Sequence, residues 1–288
     1  MADHWVGSFN AMACPCELLI EDCGEAMARQ VLEVAASCAW RIEDKFSRYR
    51  DGNIVHAINT SEGRSIEVDE ETAALIDFGA VLTRLSEGAF DLTSGVLRRA
   101  WTFDGGSRLP DPAHVAELMQ YVGWHRVEWS RPVLSLQPGM QIDFGGVGKE
   151  YAVDAAVREL RALGIQPGCL VNFGGDLAIA VPRHDNQPWA VGVESCDQPG
   201  MASESLPLVH GALATSGDSR RFLLHEGRRY SHILDARTGW PAAGTPRSIT
   251  VLAPTCSEAG SLATLASLQG DCAEVYLRAQ GNRFWLQA

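Results

Sequence analysis

Residues 141–181 decide the fold and read QIDFGGVGKEYAVDAAVRELRALGIQPGCLVNFGGDLAIAV. The stretch contains two near-copies of one phrase, Ile142-Asp143-Phe144-Gly145-Gly146 and Val171-Asn172-Phe173-Gly174-Gly175. Each copy predicts a buried strand that runs into a double glycine, where a ligand or another backbone can approach closely. Between the copies, apolar residues recur at helical spacing, and Gly164 ends the predicted helix. The stretch therefore predicts two strands joined by one helix, each strand ending in an open turn.

Two common phosphate-binding motifs are excluded at these turns. A P-loop needs a glycine five residues before its Gly-Lys and a Ser or Thr after it. This chain has Asp143 and Glu150 at those positions. A dinucleotide fingerprint that begins at Gly146 fails as well, because Tyr151 stands where its third glycine would be. On this stretch alone, two purely structural turns remain an alternative to a ligand site.

The composition limits the class of partner. The chain has 288 residues, of which 46% are apolar and 21% charged, as in an ordinary soluble globular protein. Its net charge of −12 argues against a nucleic acid or an acidic membrane as partner. It does not argue against a nucleotide, because one local basic group can hold that ligand. No membrane span is predicted, since no stretch approaches the ~20 apolar residues that a span requires.

The cysteines and the first residues indicate the compartment. The segment 1–9 lacks a basic start followed by an apolar run, so it does not resemble a signal peptide. The eight cysteines are scattered and form no Cys-x-x-Cys pair, which favours reduced thiols over a disulfide framework or a zinc site. We therefore expect a cytoplasmic protein, or a periplasmic one if the natural chain begins further upstream.

Outside residues 141–181 the patterns predict helices in the first half and a β-rich second half. Helices are expected over 27–46 and 71–85, from Asp111-Pro112 to before Gly123, after a Ser257 cap, and from Asp271. Strands are expected at 5–9, 16–20, 125–129, 133–136, 189–194, 206–209, 211–214, 221–224, 230–234, 248–253 and 284–286.

Two polar phrases of the second half could carry chemistry. His232 and Asp235 lie three residues apart beside Arg237. A carboxylate neighbour can tune a histidine for acid–base work, although a single histidine is more often structural. The phrase Thr215-Ser216-Gly217 lacks the Gly-x-Ser-x-Gly context of a hydrolase nucleophile. It more plausibly forms a small polar turn that donates hydrogen bonds to phosphate.

A tyrosine in the first half has two interpretations. Tyr49 lies in the polar loop 46–52. A tyrosine in such a loop is usually an exposed surface residue without a specific role, but it can also stack on a flat ring.

The order of these features resembles the FAD:protein FMN transferases, the ApbE-type family. The matching motifs run from Phe9 to Gly270. They are Met12 with Pro15-Cys16-Glu17, Phe46-Ser47-Arg48-Tyr49 with Asn59, Gly88-x-Phe90-Asp91-x-Thr93-x-Gly95, Ile142-Asp143-x-Gly145-Gly146-x-x-Lys149-x-Tyr151-Ala152-Val153-Asp154, Val171-Asn172-x-Gly174-Gly175-Asp176, Thr215-Ser216-Gly217-Asp218 and His232-Ile233-x-Asp235-x-Arg237-Thr238-Gly239-x-Pro241. Each motif alone is weak, whereas their shared order is specific.

The resemblance implies an α+β fold with mixed and antiparallel sheets packed with helices in two intimately joined halves, forming one domain over 1–288. It implies a flavoprotein transferase that cleaves FAD, releases AMP and attaches FMN through a phosphoester to a Thr or Ser of a partner flavoprotein, assisted by Mg²⁺. His232 matches the catalytic histidine, the base for the acceptor hydroxyl. The implied cofactor-binding residues are Met12, Tyr49, Ala89, Phe90, Asp91, Asp143, Lys149 and Ile233.

One departure from the family concerns the metal. The family supplies an Asp, with a Thr four residues later, as Mg²⁺ ligands, and this chain has Thr264 but Gly260 at the Asp position. The remaining candidates are the backbone carbonyl near Gly146, the Thr264 hydroxyl and Glu258. Glu150 replaces the small residue that usually follows the motif's lysine, and it could repel phosphate or help to hold a metal.

Three alternatives to the transferase stay open at this stage. Without the Asp carboxylate, the protein could bind FAD without transferring it. It could hydrolyse FAD to FMN and AMP with water as the acceptor. It could also be a structural protein with an inherited, empty site.

Overall fold

A seven-stranded antiparallel sheet forms the centre of the fold in the computed structural model, which describes residues 4–21, 23–198, 200–218 and 221–288. Helices cover one face of the sheet, and a two-stranded hairpin covers the other. In these ranges the strands are β1 (His4–Ala11), β2 (Cys14–Glu21), β3 (Ile66–Glu67), β4 (Glu128–Ser130), β5 (Val133–Ser135), β6 (Cys169–Phe173), β7 (Asp176–Val181), β8 (Trp189–Glu194), β9 (Ala202–Leu208), β10 (Ala212–Gly217), β11 (Phe222–His225), β12 (Arg228–Ser231), β13 (Leu234–Asp235), β14 (Trp240–Pro241), β15 (Ser248–Ala253) and β16 (Arg283–Gln287).

The helices lie in the first half, in the centre and in the C-terminal region of the chain. They are α1 (Glu25–Phe46), α2 (Ile54–Asn59), α3 (Glu70–Leu85), α4 (Pro112–Met119), α5 (Gly148–Ala162), α6 (Cys256–Leu268) and α7 (Ala273–Gln280). Short 3₁₀ segments lie at Leu92–Arg99, Trp124–Arg126, His184–Asn186 and Gly270–Cys272.

The central strands are apolar on both faces because both faces are covered. The sheet order is β1-β2-β6-β7-β10-β15-β16. In β6 and β7, Val171 and Ala178 belong to the core beneath α1, α5 and α6. Their neighbours Leu170 and Leu177 point the other way and pack with Trp189 of the β8–β9 hairpin. This two-sided burial explains why residues 169–181 form a nearly continuous apolar run rather than an alternating one.

Two partly buried hydrogen bonds fix α5 against α6. The two carboxylate oxygens of Asp154 on α5 accept hydrogen bonds from the backbone N–H groups of Cys256 and Ser257, both at 2.8 Å. These N–H groups have no partner inside α6 because they belong to its first turn. Asp154 therefore holds the start of α6 on the side of α5, and the relative position of the two helices is set by side-chain hydrogen bonds as well as by packing.

The main predicted elements are confirmed. The structure contains the β1–β2 hairpin, α1 and α3 near their predicted ranges, and α4 with Asp111 as its N-cap. The other short strands of the second half are also present, with most boundaries shifted by a few residues, but the strand expected at 230–234 is interrupted at His232 and Ile233, between β12 and β13. The α+β fold with antiparallel sheets and helices is as expected.

Three local predictions were wrong. The segment from Ile142 to Phe144 is not a strand, because the N–H and C=O of Ile142 bond to the side chain of Asn59 rather than to a neighbouring strand. The N-cap of α6 is Thr255, whose hydroxyl accepts from the N–H of Glu258, so Ser257 lies inside the helix. The phrase 215–217 lies on β10 and pairs with β15, so it is not a turn.

Two further predictions concern a membrane span and the state of the cysteines. Each helix in the described part of the chain is too short or too polar to cross a bilayer. All eight cysteines lie in the described ranges, and none of them forms a disulfide bond there.

Candidate functional site

A cavity of about 700 Å³ collects most of the predicted site residues. Both double-glycine turns line it, at the start of α5 and between β6 and β7. The predicted residues that line it are Met12, Tyr49, Phe90, Asp91, Asp143, Gly146, Lys149, His232, Ile233 and Thr264. Residues from the first half, the centre and the C-terminal region of the chain therefore meet at one place.

Ala89 is the exception among the predicted residues. It is fully buried in the core and does not line the cavity. Its carbonyl accepts a hydrogen bond from the N–H of Ala236, which ties the loop before the first 3₁₀ segment to the loop after β13. Ala89 thus supports the wall behind Phe90, which does line the cavity.

Asp91 lines the cavity, but its carboxylate is engaged by neighbouring groups of the protein. One of its carboxylate oxygens accepts from the N–H and the hydroxyl of Thr93, and the other accepts from the N–H of Trp124 at 2.6 Å. Because three internal donors already engage this buried side chain, we assign it to the capping and positioning of the loop.

The apolar end of the cavity contains a strained turn. Met12 and Ala13 form the two-residue loop between β1 and β2, and their φ angles are +51° and +57°. Both values lie in the left-handed region, where glycine or asparagine is the usual residue of such hairpin loops. Tyr49 stands at the rim with 77% of its surface exposed, and Phe90 lies deeper. Three side chains suited to contact with a flat ring therefore surround one open space.

Asp143 is held in place by two arginines. Its Oδ2 lies 3.2 Å from Nη1 of Arg48 and 3.4 Å from Nε of Arg98, and its Oδ1 accepts from the N–H of Gly145. The same Arg48 donates to the carbonyl of Gly95 at 2.6 Å. Asp143 therefore fixes the first glycine turn and brings the guanidinium of Arg98 to the cavity.

A second ion pair fixes the other glycine turn. The ammonium of Lys149 lies 2.7 Å from Oδ2 of Asp176, which is almost fully buried. The other oxygen of Asp176 accepts from the N–H of Thr215 on β10. Burial opposes the charge of Lys149, but the carboxylates of Asp176 and Glu150 hold its pKa above the ordinary value. Lys149 is therefore a fixed cation at the centre of the site.

His232 is a neutral imidazole at neutral pH. Burial, together with the positive charges of Arg221, Arg98 and Lys149, lowers its pKa from 6.5 to about 4. Its Nδ1 is shielded from solvent and has no hydrogen-bond partner among the described residues. This arrangement gives a nitrogen that can accept a proton, next to three cations that can hold an anion.

The predicted partnership of His232 with Asp235 was wrong. Both carboxylate oxygens of Asp235 accept hydrogen bonds from Arg237, at 2.7 Å for the shortest contact. The carbonyl of Asp235 also accepts from the N–H groups of Thr238 and Gly239. Local bonds within the turn after β13 therefore use this residue, and it is not available to His232.

The oxygen donors near α6 fit a hard cation such as Mg²⁺. Gly146, Glu150 and Thr264 line the cavity, and the Thr264 hydroxyl lies 2.9 Å from that of Ser216. No group of three or more His, Cys, Asp or Glu residues in the described ranges could hold a metal by itself. A magnesium ion, however, also takes hydroxyl, carbonyl and phosphate oxygens. Glu258, by contrast, is exposed and does not line the cavity, so it is not a candidate.

Glu150 carries an unpaired carboxylate oxygen. The residue keeps some exposed surface, but its Oε2 is inaccessible to solvent and has no hydrogen-bond partner in the described part of the chain. Burial, followed by the charge of Asp176, raises the pKa of Glu150 to about 8. An oxygen of this kind calls for a partner, because an unpaired buried carboxylate is costly.

Sequence reasoning missed Arg98, Arg221 and Cys14, which also line the cavity. Arg98 and Arg221 follow the polar phrases at 88–95 and 214–218, so a basic residue just after such a phrase was the available signal. A hydrogen bond from Cys16, with help from Lys149, lowers the pKa of Cys14 to about 7 despite its burial. No local sequence pattern predicted the lowered pKa of Cys14.

A second depression of about 800 Å³ lies elsewhere, around Glu21, Gln166 and His184. The carboxylate of Glu21 there accepts from the N–H groups of Gly168 and His184, so it serves the structure.

The model of the ApbE family matches residues 12–283 of the chain. The FAD:protein FMN transferase of Vibrio cholerae serotype O1 is 29% identical over 237 residues, which cover 80% of this chain and 70% of the relative. The FAD:protein FMN transferase of Haemophilus influenzae is 28% identical over 235 residues, which cover 77% of this chain and 68% of the relative.

Solved structures share the whole fold. The crystal structure of the ApbE protein from Thermotoga maritima superimposes with a TM-score of 0.88 at 28% identity, covering 98% of this chain and 94% of the other. The flavin transferase ApbE from Vibrio cholerae superimposes with a TM-score of 0.84 at 25% identity, covering 99% and 94%.

Proposed function

The chain belongs to the ApbE family, and from this membership we propose that it is an FAD:protein FMN transferase. Relatives of that name match most of its length, and its fold is that of a flavin transferase. The observation that carries the proposal is the cavity, in which an apolar end at Met12, Tyr49 and Phe90 adjoins a cluster of cations around His232.

This division of the cavity matches the two parts of FAD. The flat flavin ring packs against Met12 and Tyr49, where stacking and apolar contact favour it. The pyrophosphate lies toward Lys149, Arg98 and Arg221, and the glycine turns allow backbone N–H groups to approach its oxygens.

The transfer requires one nucleophile and one proton acceptor. The hydroxyl oxygen of an acceptor Thr or Ser attacks the phosphorus of the FMN half, a new P–O bond forms, and the P–O bond to AMP breaks. The hydroxyl proton passes to the neutral imidazole of His232, which lines the cavity. A base in this position contributes on the order of 10²–10⁴-fold. The surrounding cations stabilise the charge that develops on the phosphoryl oxygens.

The proposal includes a magnesium ion. The Thr264 hydroxyl and the backbone carbonyl at Gly146 are oxygen donors that would hold it beside the phosphates. When bound, Mg²⁺ supplies neutralisation of phosphate charge and polarisation of a phosphoryl oxygen.

The test is an incubation with FAD and Mg²⁺, with and without an acceptor flavoprotein domain that carries a target threonine. We expect mass spectrometry to find the acceptor heavier by one FMN residue and chromatography to find AMP. A His232→Asn variant should still bind FAD but lose transfer. A Glu128→Gln variant, changed on the exposed face of β4, is the matched control and should keep full activity.

The other outcomes refute the proposal in different ways. FMN and AMP released equally without the acceptor would make the protein an FAD pyrophosphatase. Bound, intact FAD with an unchanged acceptor would make it a flavin-binding protein. A protein that takes up no FAD would retain only the inherited fold.

A further inference from the structure

The carboxylate of Glu150 occupies the space beside Gly260. A Cβ atom placed on Gly260 would lie 2.5 Å from Cγ, 2.8 Å from Oε1 and 2.9 Å from Cδ of Glu150. Such distances are far below van der Waals contact, so any side chain at position 260 would collide with Glu150. The glycine is not required by its backbone, because it lies inside the regular helix α6. It is required by the side chain that faces it.

The two residues come from different helices. Glu150 lies in the first turn of α5, and Gly260 lies in α6, one turn before Thr264. Residues four apart share one face of a helix, and on this face of α6 Gly260 lies against Glu150 while Thr264 lines the cavity. The Asp154 contact with the start of α6 holds the helices in this relation.

Among the described carboxylates of this region, Glu150 has a buried oxygen with neither a hydrogen bond nor an ion pair within contact distance. Its buried Oε2 has no hydrogen-bond partner in the described residues. Asp176 instead pairs with Lys149 and accepts from Thr215, and Asp154 caps α6. A carboxylate in the first turn of a helix is favoured by the helix dipole, but that effect does not require burial. A buried, unpaired carboxylate oxygen in a cavity that the hydroxyl-bearing residues Ser216 and Thr264 also line indicates a cation.

We propose that Glu150 is the carboxylate ligand of the magnesium site, supplied from α5 in place of the carboxylate that the family supplies from α6. Its Oε1 and Cδ lie 2.8 and 2.9 Å from the Cβ position of Gly260, so the Glu150 carboxylate occupies the space that a side chain at position 260 would need. The inference rests on the proposed function, because it assumes that the cavity binds FAD with a metal. Gly260 then marks a relocated ligand rather than a lost one.

The test measures metal binding directly. Mg²⁺ is titrated by calorimetry into the protein saturated with FAD, and Mn²⁺ binding is followed by electron paramagnetic resonance. We expect Glu150→Gln, which keeps the shape of the side chain, to weaken Mg²⁺ binding at least tenfold. Glu258→Gln removes an exposed carboxylate from α6 and is the matched control, with affinity unchanged.

A reciprocal exchange makes the test independent of folding defects. Gly260→Asp alone should lower the thermal midpoint, because its Cβ collides with Glu150. The double variant Glu150→Gly with Gly260→Asp should recover both the midpoint and the Mg²⁺ affinity. Recovery in the pair would assign the two positions to one ligand even if Glu150→Gln folds poorly.

Each contrary result is informative. Wild-type Mg²⁺ affinity in Glu150→Gln, or no recovery in the double variant, would overturn the inference while FAD binding stands. Weakening by Glu258→Gln would assign the ligand to α6 instead. A wild-type protein that binds FAD but no Mg²⁺ would also overturn it. Failure to bind FAD, seen in the absorbance spectrum, would refute the proposed function itself.

Discussion

The low pKa of His232 predicts a measurable effect of pH on folding. Above pH 6.5 the imidazole is neutral in the folded and unfolded states, so it contributes nothing to pH dependence. As the pH falls from 6.5, the unfolded chain binds a proton that the folded protein takes up only near pH 4. The free energy of unfolding therefore falls over this window. The drop from 6.5 to about 4 corresponds to about 3.5 kcal/mol at about 1.4 kcal/mol per pKa unit, of which about 3 kcal/mol is lost by pH 4.

The measurement is a difference between two proteins. Urea unfolding of wild type and of His232→Asn is followed between pH 7 and pH 4. The contributions of the other titrating groups to the pH dependence cancel in the difference between the two proteins. The wild type should lose about 3 kcal/mol more than the variant over this range. In ¹H–¹⁵N spectra of the imidazoles, the signal absent from His232→Asn should titrate near pH 4.

FAD should reverse the effect. Arg221, Arg98 and Lys149 lower the pKa of His232 in addition to burial, and a bound pyrophosphate would neutralise part of that positive charge. We therefore expect the pKa to rise when FAD binds. The acid limb of kcat, which reports the bound enzyme, should then lie at higher pH than that of kcat/KM, which reports the free enzyme.

Arginine variants separate the causes. Arg98→Gln should raise the pKa of His232 in the free protein, because one of the cations is removed. Arg278→Gln, which removes an exposed arginine on α7 that pairs with Glu274, should leave it unchanged. If His232 titrates near 6.5 in the free protein, or if FAD does not change its pKa, then burial and the neighbouring cations do not control the protonation of His232.

Three further predictions concern the turn, the helix contact and the thiol. Ala13→Gly should stabilise the protein by up to about 1 kcal/mol in chemical unfolding, because it relieves a left-handed conformation. Met12→Gly should stabilise the protein in the same way but weaken FAD binding in a fluorescence titration. An unchanged affinity for FAD would contradict a contact between Met12 and the flavin. Asp154→Ala should lower the free energy of unfolding by about 2–4 kcal/mol, because two N–H groups at the start of α6 lose their acceptor; a smaller loss than from a typical surface change would refute the clamp. Cys14 should react with iodoacetamide with a midpoint near pH 7 and be protected by FAD, as read by peptide mass mapping, whereas ordinary thiol behaviour with a midpoint above pH 8 would refute the effect of Cys16 and Lys149.

Local patterns predicted elements whose stability is itself local. The turn after β6 illustrates this, since Gly174 and Gly175 adopt φ angles of +65° and +99° that glycine tolerates best. The start of α4 is similar, because Asp111 caps it and proline occupies its first position. In both cases the signal and the structure lie within a few residues of each other.

Predictions failed where a distant partner replaced the local one. Ile142 looks like a strand residue, but Asn59, 83 positions away, satisfies its backbone groups. The prediction that Asp235 tunes His232 failed for the opposite reason. Arg237, two positions further along, donates hydrogen bonds to the Asp235 carboxylate in place of His232. The collision of Glu150 with Gly260 joins two helices that are far apart in the sequence, so no local pattern could reveal it.

That collision predicts a rule for the whole family. The residue after the motif's lysine and the residue four positions before the motif's threonine face the same space, which holds one carboxylate side chain and not two. Relatives with a carboxylate on α5 should therefore carry glycine at the α6 position, as Glu150 and Gly260 do here. Counting the four combinations across family sequences tests this. Many chains with both carboxylates, or with neither among active enzymes, would show that the two helices do not share one ligand position.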